Sequence, residues 1–185
     1  MKKHKIAVIV GSLRKESYNL KTAKALMALA PESLSLELLN IADLPMFNQD
    51  LEATPPREWE IFREQILAAD GLLFLTPEYN RSVPGVLKNA VDVGSRPYGK
   101  NAWNGKPAAV VSVSIGAISG FGANHHLRQS LVFVNVPTMA QPEAYIGGAE
   151  TLFDEQGNLT SDSTRDFLKS FMVAFEKWVD TIAVK

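Results

Sequence analysis

The sequence contains no cysteine among its 185 residues. This absence excludes disulfide bonds, thiolate nucleophiles, cysteine-ligated zinc and iron–sulfur clusters. Histidine is also scarce: His4 precedes the first apolar run, and the adjacent His125 and His126 would point in different directions on a helix. The composition therefore gives no persuasive metal site, and any redox chemistry would need a bound organic cofactor.

Strong charge bias and long apolar runs are missing as well. The formal net charge is −1 and charged residues make up 21% of the chain, which does not favour a surface for nucleic acid or a polybasic membrane contact. The first apolar run, residues 6–10, is too short for a signal-peptide core or a membrane span. We therefore expect a cytoplasmic protein that binds neither nucleic acid nor membranes.

The apolar residues follow a regular order along the chain. Hydrophobic residues make up 46% of the sequence, which is typical of a globular protein with a substantial core. Thr54 and Pro55 predict the N-cap and first position of a helix, and Ser161 and Asp162 predict the start of the last one. Buried strands are predicted at residues 5–10, 34–40, 71–76, 108–114 and 137–140.

Five strands that alternate with five helical patterns predict an α/β fold with a doubly wound parallel sheet. Right-handed crossovers place every strand-to-helix loop at one edge of such a sheet, where ligands bind. No repeat or composition shift marks a second domain, so we expect residues 1–185 to form one domain. The longest irregular stretch, residues 141–160, with a predicted turn at 154–158, is either a short hairpin or an interface loop.

The loop after the first strand, residues 11–19, has the composition of an anion site. It lacks the glycine spacing of a dinucleotide-binding loop and the Gly-Lys-Ser/Thr ending of a triphosphate loop. Hydroxyl, amide and guanidinium groups remain at the start of a helix, where a phosphate is favoured; they belong to Ser12, Arg14, Ser17 and Asn19. The alternative is an ordinary helix N-cap region with a solvated arginine.

Two further loops would meet this one at the same edge. Residues 76–85 contain two prolines, which make the loop rigid, and its Tyr79 and Asn80 suit a planar polar heterocycle, although a stiff surface turn is the alternative. Residues 112–122 are rich in glycine and serine, which permits close approach of a ligand. The three loops predict a phosphorylated planar heterocycle, and FMN fits better than a dinucleotide because only one phosphate loop exists.

Two motifs in these loops resemble a known family. Gly-Ser-Leu-Arg-x-x-Ser-x-Asn at residues 11–19, and Pro-Glu-Tyr-Asn-x-Ser-x-Pro-Gly-x-Leu-Lys-Asn-Ala-x-Asp at residues 77–92, are similar to the NADPH-dependent FMN reductase family, in its bacterial quinone and chromate reductase branch. The resemblance covers essentially the whole chain. It implies a flavodoxin-like fold with strand order 2-1-3-4-5.

The resemblance also implies an activity. We expect an FMN-dependent enzyme that passes two electrons from NADPH or NADH to quinones or similar small acceptors, such as chromate, azo compounds or flavin, by ping-pong hydride transfer. No side chain is assigned a catalytic role, because the cofactor carries the chemistry. The family also implies a homodimer, with a homotetramer as the second option.

The cofactor-binding residues follow from the resemblance position by position. In the first loop, which would hold the phosphate and ribityl chain, they are Ser12, Leu13, Arg14, Ser17, Tyr18 and Asn19. Those that would flank the isoalloxazine ring are Pro77, Glu78, Tyr79, Asn80 and Arg81. The third side would be closed by Ser114 and Gly116.

The sequence departs from the family pattern at four positions. Val93 follows Asp92 where a tryptophan is frequent, and Arg81 replaces a tyrosine found in several relatives. Gly122 and His125 stand where some members have an arginine and a tyrosine that join dimers into tetramers. The dimer is therefore the better supported assembly.

Some alternatives stay open at this level. The basic residues Arg81, Arg96 and Lys100 are candidates for the 2′-phosphate of NADPH, or they form only a solvated basic rim. An electron-carrying flavodoxin is the main rival function, although such carriers are usually strongly acidic and this chain is not. A regulator that binds a monophosphate without flavin is the second rival.

Overall fold

The computed structural model describes residues 3–183, which alternate between strands and helices along the chain. None of the helices in this part of the chain is both long enough and apolar enough to cross a membrane. Short 3₁₀ turns lie at Gln49–Leu51 and Ala149–Thr151. The strands are β1 (His4–Val10), β2 (Leu34–Leu38), β3 (Gly71–Thr76), β4 (Ala108–Val113) and β5 (Ala144–Ile146), and the helices are α1 (Tyr18–Leu29), α2 (Arg57–Ala68), α3 (Gly85–Ser95), α4 (Phe121–Phe133) and α5 (Asp162–Ala183).

The five strands form one parallel sheet in the order β2-β1-β3-β4-β5. The predicted doubly wound sheet and its 2-1-3-4-5 order are therefore confirmed. Val10 pairs with Leu75, and Leu75 pairs with Val111, so the central strands end level with one another. This register brings the loops that follow β1, β3 and β4 to the same edge of the sheet.

Helices cover both faces of the sheet and bury two separate apolar cores. On one face α1 and α5 pack against the strands, with Leu26 and Phe171 fully buried between them. On the other face α2, α3 and α4 pack around Phe62 and Trp103. The central strands β1, β3 and β4 are buried on both faces, which explains why they are continuous apolar runs. The edge strand β2 instead alternates apolar and polar residues and is largely exposed after Leu34.

Trp103 fills the centre of the second core. It lies in the connection between α3 and β4 and is fully buried, and its indole N–H donates to the carbonyl of Val91 at 3.0 Å. Its ring centroid is 5.8 Å from that of Phe62 and 5.7 Å from that of Phe74. A Cβ atom on Gly94 would lie 2.4 Å from this ring, so α3 can pack here only with glycine at that position.

The fifth strand was predicted at residues 137–140, and that prediction is wrong. Thr138 makes only an isolated bridge to Ala108, whereas Ala144 pairs with Val111 and begins β5. Between these two contacts the segment advances six residues, from Thr138 to Ala144, whereas β4 advances only three, from Ala108 to Val111. The residues between Thr138 and Ala144 therefore leave the sheet. Pro142 contributes to the break because proline lacks the N–H that a ladder requires.

The start of α2 also differs from its prediction. Thr54 and Pro55 were expected as N-cap and first helical residue, but Pro56 is the N-cap and the helix begins at Arg57. The reason is local: a residue that precedes proline is disfavoured in the helical region, so Pro55 cannot begin a helix before Pro56. Strands β2 and β4 end earlier than predicted, at Leu38 and Val113.

The irregular stretch contains both β5 and a short hairpin. Phe153 bridges Leu159 in antiparallel orientation, and the amide of Asp154 donates to the carbonyl of Asn158 at 3.0 Å. Of the two predicted options the hairpin is therefore present. Helix α5 begins at Asp162 as predicted, and the Ser161 hydroxyl accepts the Thr164 amide at 3.3 Å.

We predict that Gly94→Ala destabilises the protein, because the added methyl group overlaps the Trp103 ring and overpacking costs typically about 1–3 kcal/mol. Urea unfolding followed by far-UV circular dichroism measures the change in the free energy of unfolding. Gly85→Ala is the matched control on the same helix, since a Cβ there meets nothing within 4 Å. An equal loss in both variants would contradict the packing assigned to Gly94.

Candidate functional site

The first loop of the site begins where β1 meets β3. The amide of Gly11 donates to the carbonyl of Leu75 at 2.8 Å, and a Cβ atom at Gly11 would lie 2.8 Å from Leu87 Cδ2. The loop then leads into α1, whose N-cap is Ser17, with the Leu20 amide donating to its hydroxyl at 3.2 Å. Ser17 thus has the N-cap role that the sequence offered as the alternative to an anion site. The side chain of Arg14 is exposed, as that alternative also expected.

Asn19 carries the observation that the capping role does not explain. Its side chain is buried, and its Nδ2 donates to the carbonyl of Val113 at 3.3 Å. Among the described residues its Oδ1 is buried with no hydrogen-bond partner. A buried acceptor left unpaired costs free energy, so an acceptor in this position fits a ligand that brings a hydroxyl or N–H donor.

An open cleft of about 130 Å³ lies between the three loops and brings most of the predicted cofactor-binding residues together. Val113 and Ile115 also line the cleft, and sequence reasoning missed them; their position beside Ser114 at the end of β4 was the available signal. The predicted residues outside the lining are Leu13, Asn80, Arg81 and Gly116, which lie in the same loops. The predicted residues that line it are Ser12, Arg14, Ser17, Tyr18, Asn19, Pro77, Glu78, Tyr79 and Ser114.

The second loop folds into a tight hairpin turn. Tyr79 and Ser82 exchange two backbone hydrogen bonds, at 2.9 and 3.0 Å. The two residues between them have positive φ, 52° at Asn80 and 64° at Arg81, which is the signature of a type I′ turn. A left-handed conformation is unusual for arginine. The Tyr79 side chain lines the cleft and is half-exposed.

The Glu78 side chain is held by neighbouring groups. One carboxylate oxygen accepts the amide of Ala123 in the first turn of α4 at 3.1 Å, and the other lies 3.2 Å from the Arg81 guanidinium. The negative charge of the Glu78 carboxylate is therefore paired. The hydrogen-bond donors of the first loop then determine the charge that the cleft presents to a ligand.

The third loop is braced by internal hydrogen bonds. The Ser112 hydroxyl donates to the carbonyl of Ser119 at 2.7 Å, and the Ser114 hydroxyl accepts the amide of Gly116 at 3.1 Å. Ile115 and Ile118 are more than half exposed on this loop. Ile115 and Tyr79 line the cleft and form its apolar rim.

An aromatic cluster borders the third loop. The ring of Phe121 lies 4.2 Å from that of His125, and the His125 Nε2 atom is 3.0 Å from the Tyr145 hydroxyl. Burial, together with the neighbouring carboxylate of Glu143, raises the pKa of Tyr145 to about 12. Tyr145 is protonated at physiological pH, as an ordinary tyrosine also is, and its hydroxyl is engaged with His125 and Glu143.

The three basic residues suggested for a 2′-phosphate do not form one group. Arg96 and Lys100 line a separate cavity of about 290 Å³ beside α2, and Arg81 is not part of its lining. Arg81 and Arg96 flank opposite ends of α3, which are separated by roughly 16 Å for an eleven-residue helix. Arg96 also pairs with Glu52, an interaction that raises the pKa of Arg96 and lowers the pKa of Glu52.

The cleft residues fit the phosphate and polyol chain of FMN. Hydroxyl groups of Ser12 and Ser17, the exposed guanidinium of Arg14 and the amino end of α1 all favour an anion. The unpaired Asn19 Oδ1 is suited to accept a ribityl hydroxyl. The cleft itself is small, so a flavin ring would lie at its mouth beside the Tyr79–Ser82 turn.

The chain is similar to known proteins over most of its length. Residues 4–151 match the family described as NADPH-dependent FMN reductase. A quinone reductase of Pseudomonas putida is 63% identical over 177 residues, which cover 95% of each chain. A 2-hydroxy-1,4-benzoquinone reductase of a Burkholderia species is 47% identical over 175 residues, covering 95% of this chain and 96% of the relative.

A solved structure is similar over nearly the full length. FerB, a flavoenzyme NAD(P)H:(acceptor) oxidoreductase from Paracoccus denitrificans, has a TM-score of 0.91 and 43% identity, covering 97% of this chain and 98% of that chain. The flavodoxin-like fold is confirmed by this match. The expected oxidoreductase activity, with FMN as cofactor and a nicotinamide nucleotide as reductant, is confirmed at the level of the family. The chain belongs to the NADPH-dependent FMN reductase family.

Proposed function

We propose that this protein uses bound FMN to pass two electrons from NAD(P)H to quinones or similar small acceptors. The observation that carries this proposal is the cleft at the carboxyl edge of the sheet. It combines anion-binding groups at the start of α1 with the unpaired, buried Asn19 Oδ1 and a rigid, half-exposed Tyr79 beside them. The relatives named as quinone reductases support the choice of acceptor class.

The residues of the chain bind and orient, and none of them has to transfer a proton. Bound FMN supplies a carrier that accepts a hydride from the nicotinamide and returns two electrons to the acceptor. Ser12, Arg14 and Ser17 hold the phosphate. Asn19 accepts a hydrogen bond from a hydroxyl of the ribityl chain. The Tyr79–Ser82 turn and the loop around Ser114 hold the ring edges in place.

We propose ping-pong kinetics with a broad range of acceptors. Tyr79 and Ile115 form an apolar rim that lines the cleft and is open to solvent. The nicotinamide and the acceptor therefore use the same exposed face in turn. Chromate, azo compounds and free flavin belong to the proposed acceptors beside quinones.

Of the three basic residues considered for the 2′-phosphate of NADPH, Arg81 lies on a loop of the cleft.

We further propose one domain over residues 1–185, a cytoplasmic location and a homodimer. Continuous cores on both faces of a single sheet support the one-domain proposal. Gly122 lacks a side chain with which to bind a second dimer, which favours the dimer over the tetramer.

The activity is tested under anaerobic conditions with NADPH or NADH and protein that has been loaded with FMN and then freed of unbound flavin. We expect sustained nicotinamide oxidation only when an acceptor such as a benzoquinone is supplied, and parallel lines in double-reciprocal plots when both substrates are varied. A protein that binds FMN but shows no turnover with any quinone would instead be an electron carrier. Intersecting lines would contradict the shared-face mechanism while leaving the activity intact.

We predict that Arg14→Ala weakens FMN binding, because a hydrogen bond to a charged group contributes typically about 1.5–3 kcal/mol. Riboflavin, which lacks the phosphate, is expected to bind the variant and the wild type equally. Lys15→Ala is the matched control, since the neighbouring Lys15 is exposed and does not line the cleft. Titration of apoprotein by flavin fluorescence measures all affinities, and unchanged FMN affinity in Arg14→Ala would disprove the phosphate assignment.

A further inference from the structure

Glu78 connects the loop beside the proposed flavin ring to a distant helix. Its carboxylate is 12% exposed, although glutamate is usually a surface residue. Oε2 accepts the amide of Ala123 at 3.1 Å, and Oε1 lies 3.2 Å from Nη1 of Arg81. The side chain therefore spans from the Tyr79–Ser82 turn to the first turn of α4.

Helix α4 needs such a partner because it lacks a cap of its own. Its N-cap is Gly120, which has φ of 72° and no side chain, and the first turn of the helix contains no acidic residue. Ala123 is the third helical residue, and its amide is one of those that a capping side chain binds. Glu78 supplies this missing acceptor from another loop, and its charge is also favourable at the amino end of a helix.

The contact between turn and helix is tight. A Cβ atom at Gly122 would lie 2.9 Å from Glu78 Oε2 and 3.0 Å from the carbonyl oxygen of Arg81. A second link joins His126 Nδ1 on the same helix to the Ser82 hydroxyl at 3.0 Å. The first two turns of α4 therefore hold the turn at both of its ends.

This support has a physical reason in the conformation of the turn. Asn80 and Arg81 both have positive φ. Asparagine tolerates this region, but arginine rarely adopts it and persists there when its surroundings hold it. Glu78 binds the Arg81 side chain directly, and the backbone of α4 at Gly122 packs closely against the Arg81 carbonyl.

We propose that Glu78 is a positioning residue, which caps α4 and thereby holds the Tyr79–Ser82 turn in the shape that binds the flavin ring. The inference rests on the proposed function, since it assigns the ring to this turn. Glu78 acts through the backbone of the turn, so its effect is independent of the phosphate. Its loss weakens flavin binding whether or not the ligand carries a phosphate group.

The experiment compares Glu78→Ala and Glu78→Gln with the wild type. Glutamine keeps an oxygen that can accept the Ala123 amide, whereas alanine removes it. Asp162→Ala is the matched control, because Asp162 also pairs with an arginine three residues later, at 3.3 Å, but lies at the start of α5. Hydrogen exchange at the Ala123 amide in the apoprotein, titration with riboflavin and with FMN, and the visible spectrum of bound flavin are measured for each.

For Glu78→Ala we expect faster exchange at Ala123 and about tenfold weaker binding of both riboflavin and FMN, the size of a typical lost helix cap. The spectrum of bound flavin should shift as well, which a general loss of stability would not cause. Glu78→Gln should lie between Glu78→Ala and the wild type in each measurement, because glutamine keeps an acceptor for the Ala123 amide but loses the charge beside Arg81. Unchanged riboflavin affinity in Glu78→Ala, or an equal loss in Glu78→Gln, would overturn the proposal.

Gly122→Ala approaches the same contact from the helix and keeps the test valid if Glu78→Ala does not fold. Its methyl group should displace Glu78 and the turn, and so weaken riboflavin binding in the same way. Riboflavin affinity equal to that of the wild type would contradict the tight contact. A wild-type protein that binds neither flavin would disprove the proposed function itself, which is a different result from flavin binding that is insensitive to Glu78.

Discussion

The close approach of β1 and β3 at their carboxyl ends is the constraint on which the site depends. The Gly11 amide extends the ladder to Leu75, and there is no space for a side chain between Gly11 and Leu87 of α3. The loop that leaves β1 and the loop that leads into α3 therefore begin side by side. Because parallel strands of equal register end together, the loop after β4 completes the third wall.

Each of the three loops at this edge has a different proposed role in ligand binding. The first ends at the capped start of α1, where unpaired amides and the helix dipole favour an anion. The second contains a turn with two positive φ angles, and hydrogen bonds at Glu78 and Ser82 link this turn to α4. The third is short and braced by serine hydroxyl groups, and it leaves Ile115 exposed at the mouth of the cleft. In the proposed binding mode, different structural elements of one sheet edge hold the phosphate and the ring and leave room for the acceptor.

The local sequence pattern was sufficient to predict those elements whose structure depends on a single strand or a single motif. Strands β1, β3 and β4 are buried on both faces, so their continuous apolar runs predicted them. The loops that follow these strands could then be placed at one edge of the sheet. The fifth strand was misplaced because pairing with β4, rather than hydrophobicity, selects Ala144–Ile146 over the segment around Thr138. Contacts between distant positions were not readable: Glu78 meets Ala123 across 45 residues and Arg96 meets Glu52 across 44, and no spacing rule predicts either pair.

A crystal structure of the protein with bound FMN tests the central claim most directly. The account predicts the phosphate within hydrogen-bonding distance of Ser12, Arg14 and Ser17 at the start of α1. It also predicts a ribityl hydroxyl that donates to Asn19 Oδ1 and a ring that lies against the Tyr79–Ser82 turn, with one face open. A phosphate bound anywhere else, or a ring on the opposite edge of the sheet, would contradict it.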